Sequence, residues 1–193
     1  MGAHYAEIEG YEKLISDAIR DHYLPVGSNN VVPKQPLSIV LALSDKIDYL
    51  TSLWQIGIKP TGNKDPFALR RTSLGIIRII LENKLDVDLD YLIDLTKVNF
   101  DMSDLQLFLK ERIINYLTEK KYQKKVVEAV VKQYKLDLLP ILPRVIAEIT
   151  EIISSDSGVR FLAVYKRVSN LLSSNEEFAN SKKKFRKERA TEQ

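Results

Sequence analysis

The sequence predicts an all-α protein of about eight helices, a number in keeping with ordinary helix and loop lengths. Apolar residues recur at three- and four-residue spacing through most of the chain, and no stretch keeps the alternation of two that marks a strand. Proline and glycine residues fall between these periodic segments, where short interhelical loops are expected. With 193 residues, 45% of them hydrophobic, the chain can build an extensive core.

The elements follow in chain order from this periodicity and from the breakers. We expect helices over residues 10–22, 36–54, 66–83, 88–97, 103–117, 122–134 and 140–153, and a last one that begins near Asp156. The helix over 66–83 is apolar nearly all round, which predicts that it is the central and most buried one. The change of pattern after residue 86 predicts a subdomain boundary there, which separates residues 1–86 from 87–193.

Composition excludes several classes of protein. The absence of cysteine excludes disulfides and thiolate metal sites, and no apolar run is long enough for a membrane span. The net charge of +3 is too small to indicate nucleic-acid binding by itself, but six positive charges and one negative charge lie within residues 182–189. We expect this polar, basic tail to be a frayed helix or disordered.

The most informative segment is Gly-Ile-Lys-Pro-Thr-Gly-Asn-Lys-Asp-Pro-Phe-Ala-Leu-Arg-Arg, residues 57–71. Asp65 is a good N-cap, because its carboxylate can accept hydrogen bonds from the free N–H groups of the first helical turn. Pro66 would then occupy the first helical position, where its missing N–H costs nothing. The segment therefore predicts a fixed loop that leads into a helix carrying a pair of arginines.

Basic residues near this loop suggest a surface for RNA phosphates. The first candidates for contact with RNA or with another domain are Lys64, Arg70, Arg71 and Arg78, and the second are Lys166 and Arg167. Gly75 shares a helical face with Arg71 and Arg78 and would let another chain approach closely. The structural alternative is that Asp45 or Asp48 pairs with Arg70, Arg71 or Arg78 across a helix hairpin.

Catalytic motifs are missing from the sequence. The only histidines, His4 and His22, lie outside the apolar helices and form no metal-binding motif. Asp45 and Asp48 could hold a cation or act as acid and base, but two carboxylates without a histidine indicate such a site only weakly. We therefore assign no catalytic residue and no metal site, with Asp45 and Asp48 as the weak alternative.

Several segments resemble the β subunit of the bacterial two-subunit glycyl-tRNA synthetase. These are Asp45-Lys46-Ile47-Asp48-Tyr49-Leu50, then Gly57 through Arg71, and Leu74-Gly75-Ile76-Ile77-Arg78-Ile79-Ile80. The opening Met1-Gly2-x-His4-Tyr5-Ala6 and the later Lys166-Arg167-Val168-Ser169-Asn170-Leu171-Leu172 also resemble this family. The strong block covers roughly residues 37–85, and the remainder matches in patches but in the same order.

The resemblance implies a C-terminal fragment of a longer, cytoplasmic subunit. Residues 1–86 would be the latter part of an HD-like helical domain, and residues 87–193 a helical body leading into a truncated anticodon-binding region. In this family the α subunit forms the aminoacyl adenylate with ATP and Mg²⁺, the β subunit contributes recognition of tRNA(Gly), and the two assemble as an α/β heterotetramer. The fragment itself would hold no cofactor and would contact neither membrane nor DNA.

Two further functions remain open at this point. One is a degenerate HD-type phosphohydrolase that uses Asp45 or Asp48 with a divalent metal, although the His-Asp pair of active members is absent. The other is a structural module whose basic surface docks the α subunit or the rest of the β subunit.

Overall fold

The computed structural model describes residues 1–27 and 29–173 and is all-α over that range, which confirms the predicted fold class. This part of the chain forms nine α-helices and one 3₁₀ helix. Their bounds are α1 Gly2–Ile8, α2 Lys13–Asp21, α3 Pro36–Gln55, α4 Leu69–Glu82, α5 Leu89–Asp94, α6 Met102–Glu119, α7 Lys124–Gln133, the 3₁₀ helix Leu136–Ile141, α8 Leu142–Ser154 and α9 Asp156–Ser173. Within the same residues, no helix combines the length and the apolar character needed to cross a membrane.

The chain divides into two compact units, Met1–Ile146 and Ala147–Gln193. The first contains α1 to α7, the 3₁₀ helix and the start of α8, and the described part of the second contains the rest of α8 and α9. The boundary expected near residue 86 lies inside the first unit. The assignment of 1–86 and 87–193 to domains of a larger protein stays a prediction.

Helix α4 lies at the centre of the first unit. Ile76, Ile77, Ile79 and Ile80 are at most 1% exposed, and the helix contacts α3, α6 and the 3₁₀ helix. This confirms the central position predicted for the segment, because a helix with apolar side chains on nearly every face must be covered on nearly every face.

Several helix boundaries differ from the prediction. Helix α1 was not predicted, because Ala6 is its only buried residue and no apolar stripe marks it; it packs on α2. Helix α4 begins at Leu69 rather than Pro66, because Ala68 adopts a left-handed conformation with φ of 54°. Asp101, and not Ser103, caps α6 by accepting a hydrogen bond from the N–H of Ser103.

In the second unit, Ser155 connects α8 to α9. Its N–H donates to the carbonyl oxygens of Glu151 and Ile152, which ends α8, and its Oγ accepts from the N–H of Gly158 at 3.1 Å, which caps α9. A Cβ added to Gly158 would lie 2.0 Å from the carbonyl oxygen of Ile152, so only glycine fits this turn. Gly158 thus makes this close approach from a position just inside α9. Residues 174–193, with the basic run 182–189, lie outside the described residues.

Candidate nucleic-acid interface

The loop between α3 and α4 is held by short-range hydrogen bonds. Thr61 and Lys64 exchange two backbone hydrogen bonds of 3.1 and 2.8 Å. Gly57 and Gly62 have φ values of 77° and 49°, which glycine adopts without the steric cost of a Cβ. The guanidinium of Arg70 donates to the carbonyl oxygen of Gly62 at 2.6 Å. These bonds hold the loop against the start of α4.

Asp65 caps α4, although it lies four residues before Leu69, the first residue of the helix. Its two carboxylate oxygens accept from the N–H groups of Leu69 at 2.8 Å and of Arg70 at 3.0 Å. The capping role predicted for Asp65 is therefore correct in its chemistry, whereas the placing of Pro66 at the first helical position is wrong. Because Asp65 accepts from two of the free N–H groups, any anion at this end of α4 must be bound mainly by side chains.

Two helices of the first unit form a groove of about 550 Å³ that we call the arginine groove. It is lined by Arg70, Arg71 and Leu74 of α4, by Arg112, Asn115, Tyr116 and Glu119 of α6, and by Val26 and Gly27 of the α2–α3 loop. Arg71 is exposed and Arg70 is half-buried. Three guanidinium groups and one carboxylate give the groove an excess of positive charge.

Arg112 is the residue of this groove that sequence reasoning missed. Its guanidinium lies 5.6 Å from the centroid of the Phe108 ring and pairs with Glu111 at 2.7 Å. Its Nε is shielded from solvent and has no hydrogen-bond partner among the described residues. Asn115, Tyr116 and Glu119 lie three, four and seven residues after Arg112, so this polar stripe on one face of α6 was the available signal.

Arg78, predicted as a contact residue, does not line the arginine groove. It is 6% exposed, and its guanidinium donates to Glu82 Oε1 at 2.6 Å. It also donates to the carbonyl oxygens of Gly27 at 2.9 Å and Asn30 at 2.7 Å. With its donors directed inward, Arg78 fixes the α2–α3 loop to the central helix.

The other predicted cations lie at different places. Lys64 is exposed in the loop before α4. Lys166 and Arg167 are exposed on α9, in the second unit, while Arg70 and Arg71 belong to the first. The structure thus brings Arg70 and Arg71 together with Arg112.

The expected pairing of Asp45 or Asp48 with an arginine across the hairpin is wrong for the described residues, where no ion pair joins them. Arg78 pairs instead with Glu82, four residues along its own helix, and the position beside Gly75 is taken by Lys46. In the same part of the chain, no group of three or more His, Cys, Asp or Glu side chains could hold a metal ion.

Two ionisable side chains, half-buried Glu82 and buried Tyr116, interact at the groove. Burial of Glu82 would raise its pKa, but the hydrogen bond and charge of Arg78 outweigh this and hold the pKa below its ordinary value. Burial, together with the charge of Glu82, raises the pKa of Tyr116 to about 12. The hydroxyl of Tyr116 donates to Glu82 at 3.2 Å. The carboxylate of Glu82 therefore binds both Tyr116, in the wall of the groove, and Arg78, which fixes the α2–α3 loop.

Comparison with known proteins identifies related sequences. The family model described as glycyl-tRNA synthetase beta subunit matches residues 1–132. Proteins named glycine–tRNA ligase beta subunit are similar along most of the chain. That of Paracoccus denitrificans is 36% identical over 177 residues, which is 92% of this chain and 26% of the relative. That of Phenylobacterium zucineum is 39% identical over 176 residues, 91% of this chain and 25% of the relative. The chain spans about a quarter of the length of these curated relatives.

Proposed function

The chain belongs to the glycyl-tRNA synthetase beta subunit family, and from this we propose that it contributes to aminoacylation of tRNA(Gly) by binding the RNA and not by catalysing the reaction. The observation that supports the proposal is the arginine groove, in which α4 and α6 place three guanidinium groups around one cavity. A guanidinium offers several N–H donors in a fixed plane that matches a phosphate oxygen pair.

Each groove arginine has a distinct part in the proposal. Arg71, which is exposed and whose guanidinium has no hydrogen bond or ion pair with the described residues, makes the main phosphate contact. Arg70 is positioned by its bond to Gly62 and adds a second charge from the same helical turn. Arg112 supplies charge to the groove from α6.

The wider assignment follows the family. We place this chain in a cytoplasmic α/β heterotetramer, where the α subunit forms the glycyl adenylate with ATP and Mg²⁺. The groove residues would then affect use of tRNA and leave adenylate formation unchanged. Lys64 in the first unit and Lys166 and Arg167 in the second are secondary candidates for RNA contact.

The test replaces Arg71 with alanine in the assembled synthetase that contains this chain. Neutralising one phosphate contact should weaken tRNA(Gly) binding several-fold and reduce the slope of log affinity against log salt by about one. Lys13→Ala is the matched control, because Lys13 is exposed and does not line the groove. Filter binding over a salt series measures both quantities, and pyrophosphate exchange without tRNA measures adenylate formation.

The variant Glu119→Gln should change the affinity for tRNA(Gly) in the opposite direction. Removing the carboxylate of the groove should strengthen tRNA(Gly) binding, since repulsion of the phosphate is lost. Unchanged binding in both Arg71→Ala and Glu119→Gln would refute the phosphate role. If Arg71→Ala reduced adenylate formation as much as it reduced use of tRNA, Arg71 would instead serve to dock another subunit.

A further inference from the structure

A second cavity of about 690 Å³ adjoins the arginine groove and shares Arg71 and Val26 with it. We call it the tyrosine pocket, and its other lining residues are Tyr23, Pro25, Asp45, Lys46, Tyr49 and Thr72. Its volume lies within the range of small-ligand sites. Because Arg71 lines both cavities, a ligand bound through a phosphate at Arg71 can place its attached group in the tyrosine pocket.

Two aromatic rings are exposed at this pocket. Tyr23 is 67% exposed and Tyr49 is 41% exposed. The hydroxyl of Tyr49 donates to the carbonyl oxygen of Phe67 at 3.2 Å. The centroids of the Tyr23 and His22 rings are 3.9 Å apart. Exposed aromatic rings are suitable platforms for stacking a nucleobase.

The charged groups at this pocket differ in what they can offer a ligand. The ammonium of Lys46 donates to the carbonyl oxygen of His22 at 2.8 Å, and the residue is 7% exposed. Asp45 is exposed, and its carboxylate only accepts hydrogen bonds. Among the bases, guanine presents two adjacent N–H donors on its Watson–Crick edge, and these match the two oxygens of a carboxylate.

We propose that the tyrosine pocket binds one unpaired RNA base, preferentially guanine, whose phosphate lies on Arg71. Tyr23 and Tyr49 stack on the base and Asp45 accepts from its Watson–Crick edge. This inference rests on the proposed RNA-binding function and adds a base-binding site to it.

The experiment measures binding of four single-stranded RNA pentamers, UUGUU, UUAUU, UUCUU and UUUUU, to the whole chain by fluorescence anisotropy. We expect UUGUU to bind about fivefold more tightly than the other three, as for one well-matched base contact. Asp45→Asn should reduce this preference to less than about twofold, since an amide no longer offers two acceptors. Tyr23→Leu should weaken UUGUU about fivefold or more through loss of stacking.

Tyr49→Phe and Tyr49→Leu form the matched pair. The phenylalanine keeps the ring and should bind UUGUU within about twofold of the original chain, whereas the leucine should bind as weakly as Tyr23→Leu. GMP is tested as a free nucleotide, and GMP binding tighter than UUGUU would overturn the assignment to RNA.

The outcomes separate this inference from the proposed function. If Arg71→Ala weakens all four pentamers while the tyrosine and Asp45 variants change nothing, the base pocket is refuted and the phosphate role stands. Equal binding of the four pentamers by the original chain refutes the guanine preference. If neither pentamers nor tRNA(Gly) bind, both proposals fail.

Discussion

The side chain of Lys46 passes directly over Gly75, so that a Cβ added to the glycine would lie 3.1 Å from Cε and 3.3 Å from Cδ of the lysine. This path leads the ammonium to the carbonyl oxygen of His22. Burial lowers the pKa of Lys46, and the charge of Asp45 offsets only part of that effect. The space that Gly75 leaves open is thus filled by a side chain of the same unit, and not by another chain as the sequence suggested.

Gly75→Ala should destabilise the first unit by about 1 kcal/mol, because the lysine stem must move to admit a methyl group. In a Lys46→Ala background, the same change should be neutral or stabilising, since alanine favours a helix and the obstruction is gone. A double-mutant cycle by urea unfolding measures the coupling. An equal effect of Gly75→Ala in both backgrounds would show that Lys46 is not the obstacle.

Arg78→Ala should cost roughly 3 kcal/mol of unfolding free energy, because Glu82 and two loop carbonyl groups lose a buried partner. Arg78→Lys should recover only part of this loss, since an ammonium cannot reach three acceptors in the geometry of a guanidinium. Limited proteolysis between α2 and α3 should accelerate in both variants. Arg20→Ala, on the surface of α2, serves as the control for loss of one arginine. Stability within about 0.5 kcal/mol of the original for Arg78→Ala would contradict the anchoring role.

The pKa of Glu82 gives a pH dependence of fixed sign. Because the folded-state pKa lies below the ordinary value of 4.5, the unfolded chain binds more protons in this region of pH. The stabilisation is therefore complete above the unfolded pKa and is lost as the pH falls through the folded one. The difference in urea midpoint between the original chain and Glu82→Gln should be large near pH 7 and shrink as the pH falls below the ordinary pKa of 4.5. A difference that grows on acidification would be the wrong sign.

Gly158→Ala should disrupt the connection of α8 to α9, because the new methyl group would overlap the carbonyl oxygen of Ile152. Relief requires a backbone shift that costs roughly 1–3 kcal/mol within the second unit. We expect faster proteolysis around Ser155 and a changed hydrogen-exchange pattern in α9. Val164→Ala, an exposed position of α9, should leave both unchanged. If Gly158→Ala behaves like this control, the close approach is not a constraint in solution.

Local chemistry was predictable from the sequence, and long-range contacts were not. The cap by Asp65 follows from a carboxylate placed just before an apolar period, whereas the left-handed Ala68 that displaces the helix start has no local signal. The burial of Arg78 was not predicted because its acceptors, Gly27 and Asn30, lie 51 and 48 residues earlier in the chain. Arg112 was missed because its polar stripe on α6 does not reveal which helix it faces.

The Arg78 anchor has a consequence for genetics. Val26 and Gly27, which line the cavities, belong to the loop that this buried guanidinium secures. A screen for alleles with impaired ligand binding would therefore recover Arg78 and Glu82, which do not line the cavities, along with residues that do. Heat-inactivation rates would separate the two kinds of allele, because a substitution at Arg78 would impair binding by destabilising the loop that lines the cavities.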